Sequence, residues 1–114
     1  MIFPKNGADI HAQGGWYGNA LTAAAAGGHE AVMKLLMENG ADIHAQGGQY
    51  GNPLQAAAYG GDGALVKLLM ENGADVDAQG VPYGNGLEAA AAGGHKAVLK
   101  LLMENKADLN VQRG

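Results

Sequence analysis

A fixed 33-residue period runs through the chain, spacing Tyr17, Tyr50 and Tyr83, and likewise Ala8, Ala41, Ala74 and Ala107. No slip interrupts it. Taken as units, residues 14–46 match 47–79 at 23 of 33 positions and match 80–112 at 23. A chain built this way uses one supersecondary unit over and over, and each unit is too small to bury its own apolar face. The core must therefore form between neighbouring units. Residues 1–114 read as a single domain, made of a partial N-terminal repeat at 1–13, repeats at 14–46 and 47–79, and a C-terminal repeat at 80–114.

Local chemistry predicts the contents of a unit. Asn19 precedes Ala20-Leu21-Thr22-Ala23-Ala24-Ala25-Ala26, a run of good helix formers, and Gly27-Gly28 follows where a left-handed C-cap favours glycine. In the second unit, Asn52-Pro53-Leu54-Gln55 places an N-cap, a proline at the first helical position and a capping-box Gln in order. Asn85-Gly86-Leu87-Glu88 repeats the box with Glu. A second helix is predicted from about His29 to Asn39, with Val32, Leu35 and Leu36 on one face and a narrow polar stripe of Glu30, Lys34 and Glu38. Most of its circumference is expected to be covered. Residues 39–48 then leave through glycine and run to a glycine-rich tip, which predicts a projecting, hairpin-like loop. Neither helix is long enough to be stable alone. The expected fold is all-α, a solenoid of helix-turn-helix-loop units.

Gly28-His29, Lys34-Leu35-Leu36, Asn39-Gly40-Ala41-Asp42-Ile43 and their copies, at this period, resemble ankyrin repeats. The resemblance covers residues 6–112. The family's Thr-Pro-Leu-His is replaced by Asn19-Ala20-Leu21-Thr22, Asn52-Pro53-Leu54-Gln55 and Asn85-Gly86-Leu87-Glu88, with the Leu kept and Pro53 matching. Asn takes over the capping task of Thr. Tyr-Gly-Asn before the Leu and the alanine run after it are similar to a subtype of long fungal arrays. The resemblance implies a protein-interaction module without catalysis, binding through loop tips and the exposed side of the first helices on a concave surface.

Composition narrows the alternatives. The net charge is −4 and the seven basic residues are scattered, so no patch stands ready to neutralise a run of phosphates. With no cysteine there are no disulfides, thiolate metal sites or cysteine nucleophiles, and with no serine Thr22 is the one aliphatic hydroxyl. Apolar stretches are broken well short of the ~20 residues a membrane span needs. A cytoplasmic protein is the expectation, with neither nucleic acid nor membrane as partner.

Polar ladders recur with the period. Asp9, Asp42, Asp75 and Asp108 occupy the turn after each second helix, where a repeated backbone hydrogen bond is expected. His11 and His44 belong to a second ladder with Asp77 and Asn110. Adjacent repeats lie about 10 Å apart, as packed helices do, too far for two imidazoles to share a ~2 Å bond to zinc. His29 and His95 stand at a helix start, where a structural hydrogen bond is expected, and Asp62 takes that place as an N-cap. The Gly-Gly pairs lack the Lys-Ser/Thr of a phosphate loop. No catalytic residue, metal site or cofactor is expected.

Differences between copies separate decoration from framework. The tips vary as Gly15-Trp16, Gly48-Gln49 and Val81-Pro82, and the end of the first helix varies as Ala26, Tyr59 and Ala92. On the ankyrin template both sets face the groove, so Trp16, Gln49, Tyr59, Val81 and Pro82 are the candidate partner-binding residues, with Trp16 first. Invariant Tyr17, Tyr50 and Tyr83 suit a framework role. The alternative is structural. Ile2 and Phe3 fall in register with Leu35 and Leu36, and Val98, Leu101, Leu102 and Met103 keep the internal apolar pattern with only Lys106 and Asn110 as polar concessions. Such ends belong to a segment of a longer array, or to units that self-associate end to end.

Overall fold

The computed structural model describes residues 11–14, 18–78 and 84–113, and for 105–113 the backbone alone. Six helices follow one another: α1 (Ala20–Gly27), α2 (Glu30–Glu38), α3 (Pro53–Gly60), α4 (Gly63–Glu71), α5 (Gly86–Gly93) and α6 (Lys96–Arg113). The first helices pack in series, α1 on α3 and α3 on α5. Each also packs on the second helix of its own unit, and α4 lies against α6. This is the predicted helical solenoid.

The Asn N-caps and glycine C-caps form as predicted at every first helix, but Gln55 does not complete the expected capping box: Asn52 N donates to Tyr50 O at 2.9 Å, and Gln55 Nε2 donates to Gly84 O at 3.3 Å. Asn19 Oδ1 accepts from Thr22 N at 2.8 Å, Asn52 Oδ1 from Gln55 N at 2.8 Å, and Asn85 Oδ1 from Glu88 N at 3.0 Å. Gly28, Gly61 and Gly94 close the helices at φ 75°, 77° and 74°, the left-handed conformation that side chains disfavour. Of the second-helix starts, Asp62 caps α4, accepting from Leu65 N at 3.2 Å. His29 makes no such cap. Its ring lies over Gly27, where a Cβ would collide with it, and the His95 ring likewise occupies the space beside Gly61 and Gly93. These histidines pack against turns whose missing side chains make room for them.

Small residues make the core. Ala24, Ala25, Ala56, Ala57, Ala58, Ala89 and Ala90 are buried where the first helices meet, with Leu21 and Leu54 beside them. The second helices contribute Met33, Leu65, Val66, Leu69, Val98 and Leu102. Burial at equivalent positions shows which way each side chain faces. Val32 is 48% exposed whereas Leu65 and Val98, one and two periods on, are 0% and 2% exposed. Leu35 is 59% exposed, and its equivalents Leu68 and Leu101 are half-buried. These positions face the preceding unit, so the expectation that α2 is covered around most of its circumference fails on that side. Met103 shows the reverse pattern, 55% exposed where Met37 and Met70 are half-buried, and so faces the following unit.

The third unit departs from the predicted plan. In the first two, Asn39 and Asn72 cap the second helix, each donating from Nδ2 to the carbonyl four residues back at 2.8 Å, and Gly40 and Gly73 turn away at φ 91° and 96°. Lys106 stands where that glycine would be. A side chain disfavours the left-handed turn, and α6 runs on nine residues past Glu104 to Arg113 in place of the loop. Lys106 is thus more than a slight concession. Lys106→Gly is expected to end α6 near Glu104 and to remove roughly two turns of helix, visible as a smaller far-UV ellipticity at 222 nm. An unchanged spectrum would show that the residues after 104 hold the helix without help from position 106.

Candidate partner-binding surface

The tip loops are closed by short backbone bonds. Gly14 N donates to Gly18 O at 2.8 Å and Gly47 N to Gly51 O at 2.8 Å. Gly18 could not be another residue: its φ is 84°, and a Cβ there would stand 2.6 Å from the Gly47 carbonyl carbon. One loop therefore rests on the next. Behind them Asp42 Oδ1 accepts from His44 N at 2.8 Å and Asp75 Oδ1 from Asp77 N at 2.9 Å, the repeated turn bond expected of the aspartate ladder.

On this scaffold Gln49 is exposed at the second tip. Tyr59 ends α3 half-buried, its ring centroid 6.0 Å from that of Tyr50 with the planes tilted by 46°. The contact ties the end of a first helix to the loop before it, and brings Gln49, the neighbour of Tyr50, to the same region. At the position of Tyr59 the other units carry Ala26, half-buried, and Ala92, exposed. Tyr59 is thus the one large side chain among small ones. Trp16, Val81 and Pro82, like Tyr17 and Tyr83, lie outside the described residues, as do Ile2 and Phe3.

His11 and His44 line different cavities. His11, Gln13, Asn19, Leu21, Ala41, Asp42 and Ala45 surround about 110 Å³ between the partial N-terminal repeat and the first unit. His44 lines a far smaller recess, of about 10 Å³, with Asn52, Leu54 and Asp75. Among the described residues no group of three His, Asp or Glu side chains is placed to hold a metal. The first cavity has a feature the sequence reading missed: Asn19 Nδ2 is buried without a hydrogen-bond partner, although Asn19 Oδ1 is engaged in capping. Only the side chain's second function could have signalled this, since one Asn oxygen caps the helix and leaves two donors over.

A model of ankyrin repeats, in three copies, matches the sequence over residues 1–80 and 51–113. The chain belongs to the ankyrin repeat family. Ankyrin repeats are in general protein-interaction modules, and the alternation of short first helices, longer second helices and glycine-closed tips seen here is that architecture. No curated protein matches the sequence. Among the described residues no helix is long and apolar enough to cross a membrane.

Proposed function

We propose that this ankyrin array is a non-catalytic scaffold that binds a protein or peptide along its tips and first helices. The observation that carries the reading is the contrast between units: the framework repeats almost unchanged, while tip residues and the residue before the final glycine of the first helix vary. Trp16, Gln49, Tyr59, Val81 and Pro82 are the proposed contacts. Alanine at Ala26 and Ala92 leaves a low surface on either side of Tyr59, suited to an extended segment that lays one apolar side chain beside the Tyr50–Tyr59 pair. Asn19 Nδ2 offers a donor for a backbone carbonyl at the first cavity. A cytoplasmic location and protein partners, with no cofactor, complete the proposal.

Peptides selected from a random display library against the purified chain provide the test. Trp16→Ala and Tyr59→Ala are each expected to weaken the selected peptides by roughly tenfold or more, the loss typical of an aromatic anchor. Lys67→Ala, on the second helix of the middle unit, serves as the control and is expected to change nothing. Equal binding by all the variants, with unchanged circular dichroism, would remove these residues from the site.

A further inference from the structure

We propose that the groove between α4 and α6 is a second binding surface, and that it takes an acidic protein segment. The segment brings carboxylates to Lys67 and Lys100 and lays an apolar side chain against Val98 and Leu101. All four residues line the groove, whose volume is about 390 Å³. Val98 is buried and Leu101 half-buried, whereas both lysines are exposed. Gly61 and Gly63 line the end at which α4 begins. The groove shares no residue with the tips or with the Tyr50–Tyr59 pair, so it stands apart from the surface described above.

Its charge comes from one position that varies between units. The second helices carry Glu30, Gly63 and Lys96 at the same place in the repeat. Glu30 holds Lys34, one turn on, at 3.3 Å. On α4 glycine replaces that glutamate, and Lys67, the counterpart of Lys34, stands in no ion pair among the described residues; neither does Lys100. Gly63 also leaves the groove open, since nothing lies within 4 Å of where its Cβ would be. On α6 the sign is reversed, with Lys96 exposed at the helix start. Lysines that are scattered in the sequence are thus gathered where α4 and α6 both begin, and the dipoles of the two helices add to their field. The nearby acids leave that end positive. Asp62 caps α4 and turns its other oxygen toward Gly28, on the side of the first unit. Glu104 lines the groove one turn beyond Lys100, and Glu71 ends α4. A carboxylate is therefore drawn to the Gly63 end. The apolar lining favours a peptide side chain over a phosphate backbone, which would also meet the chain's net charge of −4.

The probe is a fluorescent peptide of two leucines flanked by glutamates, titrated into the full chain at low salt and followed by anisotropy. A peptide with glutamines in place of the glutamates is the comparison. The glutamate peptide is expected to bind, to weaken as salt is added, and to exceed the glutamine peptide by roughly fivefold or more. Gly63→Glu rebuilds on α4 the pair that Glu30 makes on α2. It suits the first turn of a helix, so the variant is expected to fold, and to weaken binding by roughly fivefold. Lys100→Glu is expected to weaken it by roughly tenfold and Lys67→Ala by roughly threefold. Tyr59→Ala is expected to leave it unchanged, which separates this groove from the tips. Equal binding of the two peptides, full binding by Gly63→Glu, or loss in Tyr59→Ala would each overturn the proposal. So would a single-stranded oligonucleotide that binds more tightly than the peptide, or a wild-type mass that rises with concentration and falls back in Gly63→Glu, which would put a second copy in the groove.

Discussion

Leu69→Ala is expected to lower the free energy of unfolding by about 2–5 kcal/mol, the cost of emptying a fully buried leucine site. Leu69 lies on α4, in the middle unit, and is 0% exposed. In a stack, stability is approximately a sum of unit terms and interfaces between neighbours, and the middle unit takes part in both interfaces. A nine-residue helix such as α4 has no stability of its own to offset the loss. For a domain of this size, whose total stability is on the order of 5–15 kcal/mol, the change is a large fraction. Leu36 provides the matched control, being the same residue one period earlier but only half-buried. Leu36→Ala is expected to cost less than half as much. Urea midpoints at constant m-value would measure both. Equal losses would mean that the first unit is covered as fully as the middle one.

The contrast between Leu36 and Leu69 also marks where the sequence stops being informative. Their neighbours within the repeat are nearly the same, so periodicity assigns them one role, but Leu69 lies in the middle unit with a full repeat before it, and Leu36 does not. Val32 and Leu35 were expected to be covered for the same reason. What depends on the nearest few residues was legible: the Asn caps, Pro53 at the start of α3, the glycine C-caps and the aspartate turn bonds follow from side-chain reach and backbone freedom over four residues. The run-on of α6 was legible in principle. Its signal was a missing glycine at Lys106, and a missing turn residue is easier to overlook than a present one.

The candidate site divides along the same line. Variation between copies, set on the ankyrin template, singled out Gln49 and Tyr59 as candidates, and Gln49 is exposed at its tip. The Tyr50–Tyr59 contact was not foreseen, because it joins a residue taken as framework to one taken as decoration. Glu88 was read only for its capping position. That it occupies an outward-facing member of a row otherwise buried, after Thr22 and Gln55, emerges only when burial is compared across units. His29 was expected to make a structural hydrogen bond at the helix start, but it makes no side-chain cap bond and its ring lies against Gly27.

Ala57→Leu tests how close the first helices must come. Ala57 is fully buried on α3, which packs on both α1 and α5, and Ala24 and Ala90 stand at the same position in those helices. Each of these sites is filled by a methyl group, so the helices approach to a separation that a larger side chain cannot share. A leucine adds three carbons at a fully buried site, and overpacking of this kind costs typically 1–3 kcal/mol. The upper end, about 3 kcal/mol, is expected here, because pushing α3 away from one neighbour cannot relieve the strain against the other. Ala92→Leu makes the same chemical change on α5 at an exposed site, and is expected to stay within ~0.5 kcal/mol of wild type. Thermal unfolding of the pair compares them directly. If both variants melt like wild type, the first helices have room to spread, and the alanine run reflects helix propensity alone. If only Ala57→Leu falls, alanine is required by the spacing of the stack, and that spacing in turn sets how far apart Gln49, Tyr59 and the neighbouring tips stand.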